Sequence, residues 1–156
     1  MDLRQGVVTR VLIAPSRKEA KDFVSFSDLP DTEYFEELFG VLSEYFAGAR
    51  FRLGLRWDFG PSELTGFARR VLRETSKIPF GRTRTYRDIA KGAGKPDAYR
   101  LVLATLIENP IPIVVPCHRV VTNKSGIGSY IGGKDRKKWL LEMEKEALKQ
   151  REKANA

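Results

Sequence analysis

The chain is expected to fold as an α/β protein of the α+β kind: a small strand-and-helix domain over residues 1–58, then a winged helix-turn-helix-like domain over residues 59–156. Three observations carry this expectation. The first half mixes β-branched runs with one amphipathic helix pattern, and the second half holds two helix patterns split by Gly92-Ala93-Gly94. Charge is also divided unevenly. Residues 1–57 hold 8 basic and 9 acidic side chains against 20 and 11 in residues 58–156, so the halves carry −1 and +9 of the net charge of +8. A basic half beside a near-neutral one is what a polyanion-binding domain on a support domain shows, although basic residues also simply solvate surfaces.

Taking the chain in order, Gly6 to Ala14 (GVVTRVLIA) is β-branched and stops at Pro15, and Phe23 to Phe26 alternates, so both read as strands able to pair as a hairpin. From Asp31 or Thr32 as cap, Tyr34, Phe35, Leu38, Phe39, Leu42, Tyr45 and Phe46 recur at helical spacing, and Gly48 closes the helix. Arg50 to Phe59 alternates apolar and polar residues and reads as a half-buried strand covering that helix. Nothing in this half suggests chemistry, and its aromatics read as core. Gly60-Pro61 marks the boundary.

The second half opens on a helix with Ser62 as N-cap, Glu63 in its first turn and Leu64, Phe67, Val71 and Leu72 on one face, ending near Ile78-Pro79. A short helix from Tyr86 to Lys91, the glycine break, and a helix from Pro96 or Asp97 to Glu108 follow, the layout of a helix-turn-helix DNA reader. Asn109-Pro110 stops the second of these, because proline disfavours a helical residue before it. Asn123 to Gly133 holds four glycines in eleven residues and reads as a substrate-covering loop. A last helix from Asp135 carries a core stripe of Trp139, Leu140 and Met143, and its tail, Lys149 to Ala156, is polar and expected to fray.

Composition excludes several classes. With 156 residues and 42% apolar content the chain can bury a core. One cysteine forbids an internal disulfide framework, and one cysteine with one histidine cannot make a tetrahedral zinc site from soft ligands, so neither metal nor cofactor is expected. No apolar run reaches the ~18 residues a membrane span needs, and MDLRQGVVTR lacks a leader's apolar core and cleavage site. The expectation is a soluble, cytoplasmic monomer.

The sole cysteine and histidine stand side by side, Cys117 and His118, within IPIVVPCHRVV. A lone cysteine is ordinarily a small buried hydrophobe. Adjacency adds little, because side chains at i and i+1 diverge on helix and strand alike. For the two to cooperate, a tight turn or a bridging water must join them and a third group must orient the imidazole.

The wider pattern is more specific. NPIPIVVPCHRVV followed by GIGSYIGGKDRKKWLLEMEKE, and preceded by TYRDIAKGAGKPDAYRLVLATLIENP, resembles the active-site region of the O6-alkylguanine-DNA alkyltransferases over about 70 residues, from Pro79 to Glu146. The first half matches only in general layout. In this family the cysteine accepts the alkyl group from a damaged guanine in double-stranded DNA and is not regenerated. The resemblance implies that Cys117 is the acceptor, that His118 takes its proton through a water, that Glu144 orients the imidazole and that Asn109 holds the backbone between recognition helix and active-site turn. Tyr86 would donate toward N3 of the purine and Tyr130 toward O6, with backbone groups of Cys117, Val120 and Ile131 reading the remaining edge. Arg100 would fill the stack left by the extruded nucleotide, and Ala98 and Ala104 would permit close approach to the minor groove. Leu103, Ile107 and Glu108 depart from the glycines and arginine common in the family, and Ile131 stands where serine is frequent.

By the residues alone, Glu144 between Glu142 and Glu146 is an ordinary solvated helix carboxylate and Arg100 a surface charge. Two other functions stay open at this point: a lesion-sensing DNA binder with an inert cysteine, and a thiol hydrolase. The latter lacks a local protease signature and leaves the basic half unexplained.

Overall fold

The computed structural model describes residues 2–4, 7–11, 13, 32–59, 64–122 and 126–155. Strand β1 (Asp2–Arg4) pairs antiparallel with β2 (Val7–Arg10), and Val8 bridges on to Trp57 through Val8 N–H to Arg56 C=O and Asp58 N–H to Val8 C=O. Of the strand expected over Gly6 to Ala14, only Val7–Arg10 forms, as β2 with β1 as its partner, while Val11 and Ile13 lie outside any strand; Phe23 to Phe26 lies outside the described residues. The alternation in residues 51–59 is real in burial, with Phe51, Leu53, Leu55, Trp57 and Phe59 inward and the four residues between them exposed, yet only one bridge forms. This segment is therefore extended chain rather than a full strand, and Phe51 packs edge-on to Phe80 of the second half.

Helix α1 (Thr32–Phe46) buries Leu38, Val41 and Tyr45, spaced by three and four residues. Phe39 and Phe46, expected in the stripe, are exposed because they fall off that face. Gly48 ends the helix at φ +72°, a conformation glycine adopts without steric cost.

Helix α2 (Gly66–Ser76) starts later than the expected Ser62 cap would place it: Thr65 Oγ1 accepts from Ala68 N–H and makes the cap. Ser62, Glu63 and the Gly60-Pro61 boundary lie outside the described residues. Val71 and Leu72 are fully buried, worth about 1.5–3 kcal/mol each. Strand β3 (Arg84–Thr85) leads into α3 (Tyr86–Gly92), where Thr85 and Asp88 exchange hydrogen bonds in a capping box. Helix α4 (Tyr99–Ile107) is shorter than expected at both ends: Pro96 and Asp97 form a turn, Ala98 is the N-cap and Glu108 the C-cap. β3 pairs in parallel with β4 (Val120–Val121).

Helix α5 (Lys134–Ala154) continues through the tail expected to fray. Its buried face is Lys137, Leu140 and Glu144, whereas Trp139 is 52% exposed, so the stripe is rotated from the one expected. Val8, Tyr45 and Phe59 share one core with Val71, Leu72, Ile78, Ile89 and Val102, so both halves close on a common interior. Among the described residues no helix is long and apolar enough to cross a membrane.

Candidate active site

The cysteine sits on a sequence of tight turns. Ile113 has φ +72°, an uncommon conformation for a β-branched residue, in a turn closed by Val115 N–H to Ile111 C=O at 2.9 Å. Asn109, buried at the end of α4, donates to Val115 C=O at 3.0 Å and accepts from Ile111 N–H at 3.1 Å, so one side chain holds both arms. Pro116 at φ −79°, ψ 65° makes an inverse γ-turn, with Cys117 N–H donating to Val115 C=O at 2.8 Å. A 3-10 turn, Cys117–Arg119, follows directly.

This geometry separates the neighbours. Cys117 is 3% exposed and His118 fully buried, and His118 Nδ1 has no hydrogen-bond partner, so thiol and imidazole are not directly bonded through that nitrogen. The other ring nitrogen, Nε2, lies 2.8 Å from Glu144 Oε1. Glu144 is fully buried rather than solvated. Arg119 grips its carboxylate from two sides, Nε to Oε2 at 2.9 Å and Nη2 to Oε1 at 2.8 Å, while Gly81 N–H donates to Oε2 at 2.9 Å. Burial alone would raise the Glu144 pKa, but donors from His118 and Arg119 outweigh it and hold the group down at about 2. Glu144 is thus a charged acceptor, which requires the proton of a neutral imidazole to sit on Nε2 and leaves the Nδ1 lone pair free. Desolvation lowers the pKa of His118 despite Glu144 and keeps the ring neutral.

Desolvation pushes the Cys117 thiol up to about 11, against the Asn109 side chain and the Lys137 ammonium, which favour the thiolate. The resting thiol is protonated. Lys137, itself lowered to about 8 by desolvation, donates to Val120 C=O at 2.6 Å and Ser129 C=O at 3.0 Å, tying β4 to the glycine loop.

Two tyrosines line that loop. Tyr86 opens α3, and its hydroxyl reaches Ser129 C=O at 3.4 Å. Tyr130 is buried with its hydroxyl unpartnered, its ring 6.2 Å edge-on from His118. A Cβ on Gly128 would stand 2.7 Å from the Tyr86 hydroxyl, and one on Gly132 2.7 Å from the Tyr130 ring, so the loop packs on both rings at distances only glycine permits. Desolvation raises the pKa of each phenol, keeping both as O–H donors.

Of the other expected residues, Val120 is buried, with its N–H donating to Cys117 C=O and its C=O accepting from Lys137 Nζ. Ile131 is exposed beside Tyr130. Arg100 and Ala104 are exposed on α4 with Tyr99, Leu101 and Ile107, and Ala98 is half-buried at its start. These α4 residues lie apart from the buried cluster, on the face presented outward. A cleft of about 440 Å³ lined by Tyr45, Phe80, Pro116, Arg119 and Arg151 reaches this cluster from another side, and Cys117 does not line it. Among the described residues no group of three or more His, Cys, Asp or Glu is placed to hold a metal.

Three side chains in the cluster escaped sequence reasoning. Arg119 lies inside the PCHRV signature. Lys137 precedes Leu140 and Glu144 by three and seven residues, the spacing of one helix face, and this was the available signal. Tyr45, from the half that suggested no chemistry, donates its hydroxyl to Glu144 Oε1 at 2.5 Å; at helical spacing among leucines and phenylalanines it carried no signal distinct from core.

Comparison with known proteins identifies the family. A family model described as 6-O-methylguanine DNA methyltransferase, DNA binding domain, matches residues 66–146. The methylated-DNA–protein-cysteine methyltransferase of Methanosarcina barkeri is 34% identical over 95% of this chain and 98% of its own length. The structure of an O6-methylguanine DNA methyltransferase from Methanococcus jannaschii superposes with TM-score 0.68 at 32% identity, covering 93% of this chain and 86% of that one. The crystal structure of Mycobacterium tuberculosis OGT in complex with DNA superposes with TM-score 0.67 at 38% identity, covering 72% of this chain and 68% of that one. With the cysteine turn, its buried histidine and carboxylate, and the helix pair α3 and α4 all inside the matched region, the chain belongs to the O6-methylguanine-DNA methyltransferase family, the methylated-DNA–protein-cysteine methyltransferases.

Proposed function

We propose that this protein repairs O6-alkylguanine in duplex DNA by direct, irreversible transfer of the alkyl group to Cys117, one event per molecule. The observation that carries the reading is the buried assembly of a protonated thiol, a neutral imidazole with a free Nδ1, and an ionised Glu144. A thiol at about 11 is inert to solvent, so the base must act when the substrate arrives.

In the proposed step a water between Cys117 and His118 Nδ1 relays the thiol proton to the imidazole as Sγ attacks the alkyl carbon. The S–C bond forms and the C–O6 bond breaks, with its electron pair leaving on guanine. Tyr86 supplies a proton or hydrogen bond at N3 and Tyr130 a hydrogen bond at O6. The proton held on His118 then passes through water to restore Tyr86 or to neutralise the released guanine, so the net change moves the alkyl group to sulfur and the thiol proton to guanine. A neutral thioether has no base or metal to cleave it, so the event ends the molecule's activity. Glu144 stabilises the imidazolium while it lasts, as the triad carboxylate does in serine proteases.

Delivery of the base rests on α4. Arg100 fills the vacated stack, and Ala98 and Ala104 line the approach to the groove; backbone groups of Cys117, Val120 and Ile131 read the remaining edge of the base. Extrusion costs a few kcal/mol, less for a mispaired or damaged nucleotide. Residues 1–58 act as a support domain for the DNA-binding domain of residues 59–156, and the protein works as a cytoplasmic monomer without metal or cofactor.

Stoichiometry tests the reading. With excess O6-methylguanine duplex, repaired guanine should plateau at one per protein molecule; product that keeps accumulating contradicts it.

A further inference from the structure

Tyr45, on the last turn of α1, is buried, and its hydroxyl oxygen lies 3.3 Å from His118 Nε2 while its proton goes to Glu144 Oε1 at 2.5 Å. Packing does not require that oxygen. The ring is held edge-on by Phe46 at 5.2 Å and Phe80 at 5.8 Å, and phenylalanine would fill the same space. A phenol out of water is costly unless bonded, and its bonds here go to the two residues proposed to manage the thiol proton. Oε1 thus receives Tyr45, His118 and Arg119 together, and what it gives to one donor it withholds from the others.

We infer that Tyr45 is a positioning residue for alkyl transfer: by donating to Glu144 Oε1 beside His118 Nε2, it fixes the carboxylate against the imidazole and limits how strongly that carboxylate holds the imidazole proton. The first half of the chain thereby tunes the base of the second. This rests on the reading of Cys117 as alkyl acceptor.

The groups facing His118 are Glu144 and Lys137 from α5, Arg119 and Cys117 from its own turn, Tyr130 from the glycine loop and Tyr45 from α1. Arg119 and Lys137 oppose the imidazolium, and Glu144 favours it. Removing the Tyr45 hydroxyl leaves both cations in place and gives the carboxylate one donor fewer. Glu144 then binds the imidazolium more firmly, and the pH below which the imidazole is protonated and useless as a base moves up.

Single-turnover methyl transfer from an O6-methylguanine duplex, followed from about pH 5 to about pH 9 on the full chain, tests this. Tyr45→Phe is compared with Val41→Ala, which loosens the same helix one turn away without touching the network. Tyr45→Phe should shift the acid limb to higher pH, lowering the rate several-fold near its foot and little on the alkaline plateau, while Val41→Ala lowers the melting temperature and leaves the midpoint in place. An unmoved midpoint in Tyr45→Phe, or equal shifts in both variants, overturns the inference while leaving Cys117 as acceptor. A wild type that transfers no methyl overturns both. If Tyr45→Phe does not fold, the single imidazole of the wild type answers by NMR with labelled histidine. An Nε2–H tautomer with a contact between the Tyr45 hydroxyl proton and the ring supports the inference, and an Nδ1–H tautomer overturns it.

Discussion

His118 Nε2 lies 2.8 Å from Glu144 Oε1 with both side chains fully buried, and this contact sets the state of everything around it. It places the imidazole proton on Nε2, frees Nδ1 toward the remaining space, and leaves Arg119 as the carboxylate's counter-charge. Removing one partner from such a set exposes the others to an uncompensated desolvation cost.

Glu144→Gln therefore should destabilise the protein by about 3 kcal/mol, because the mostly buried Arg119 guanidinium loses its counter-ion. Urea unfolding of the two proteins measures it. A loss under about 0.5 kcal/mol, the size of a surface substitution, would mean that the carboxylate is solvated in solution.

Stability should rise with pH in two stages. His118 is held below its ordinary 6.5 by desolvation, so the native state binds fewer protons than the unfolded one there; its contribution is complete above 6.5 and is lost as pH falls through the lower native value. Glu144, at about 2 against an ordinary 4.5, contributes fully above 4.5 and loses that contribution as pH falls toward 2. Unfolding free energies measured across this range should fall on acidification, first below 6.5 and again below 4.5. A flat profile would contradict both assignments.

The Cys117 thiol, pushed up to about 11 by burial, should show no thiolate ultraviolet absorbance at neutral pH in the free protein and should ionise only in strongly alkaline solution. Cys117→Ser provides the blank. A thiolate signal at neutral pH would show that the nucleophile is activated before DNA arrives.

Gly128→Ala should slow transfer and leave duplex affinity nearly unchanged. Its Cβ would meet the Tyr86 hydroxyl at 2.7 Å from a backbone at φ +75°, costing on the order of 1–2 kcal/mol and displacing the phenol, while α4 is untouched. Equal loss of binding and transfer would place the loop in DNA docking instead.

Much of the second half was legible because each signal had one structural meaning. The helix expected from Tyr86 forms there, Asn109-Pro110 follows the end of α4, and the cysteine and histidine of the expected platform are buried. Boundaries slipped where two caps competed: Thr65 is the cap that forms, and the turn at Pro96-Asp97 delays α4 to Tyr99. β3 and β4, two residues each, are too short to leave a periodic pattern. The polar tail stays helical to Ala154, with Lys149 and Glu146 3.8 Å apart across one turn. Glu144 read as solvated because Glu142 and Glu146 flank it; only the buried face it shares with Lys137 and Leu140 sets it apart. Tyr45 was hidden for the opposite reason, since a core tyrosine's ring obeys the helical period whether or not its hydroxyl has work to do.

The central claim is covalent, and intact-protein mass tests it most directly. Wild type mixed with an equimolar duplex carrying one O6-methylguanine should gain one methylene equivalent, about 14 Da, on Cys117, leaving plain guanine in the DNA, while Cys117→Ala gains nothing. An unchanged wild-type mass in a protein that still binds the lesion tightly would contradict alkyl transfer and leave a lesion sensor with a structural cysteine.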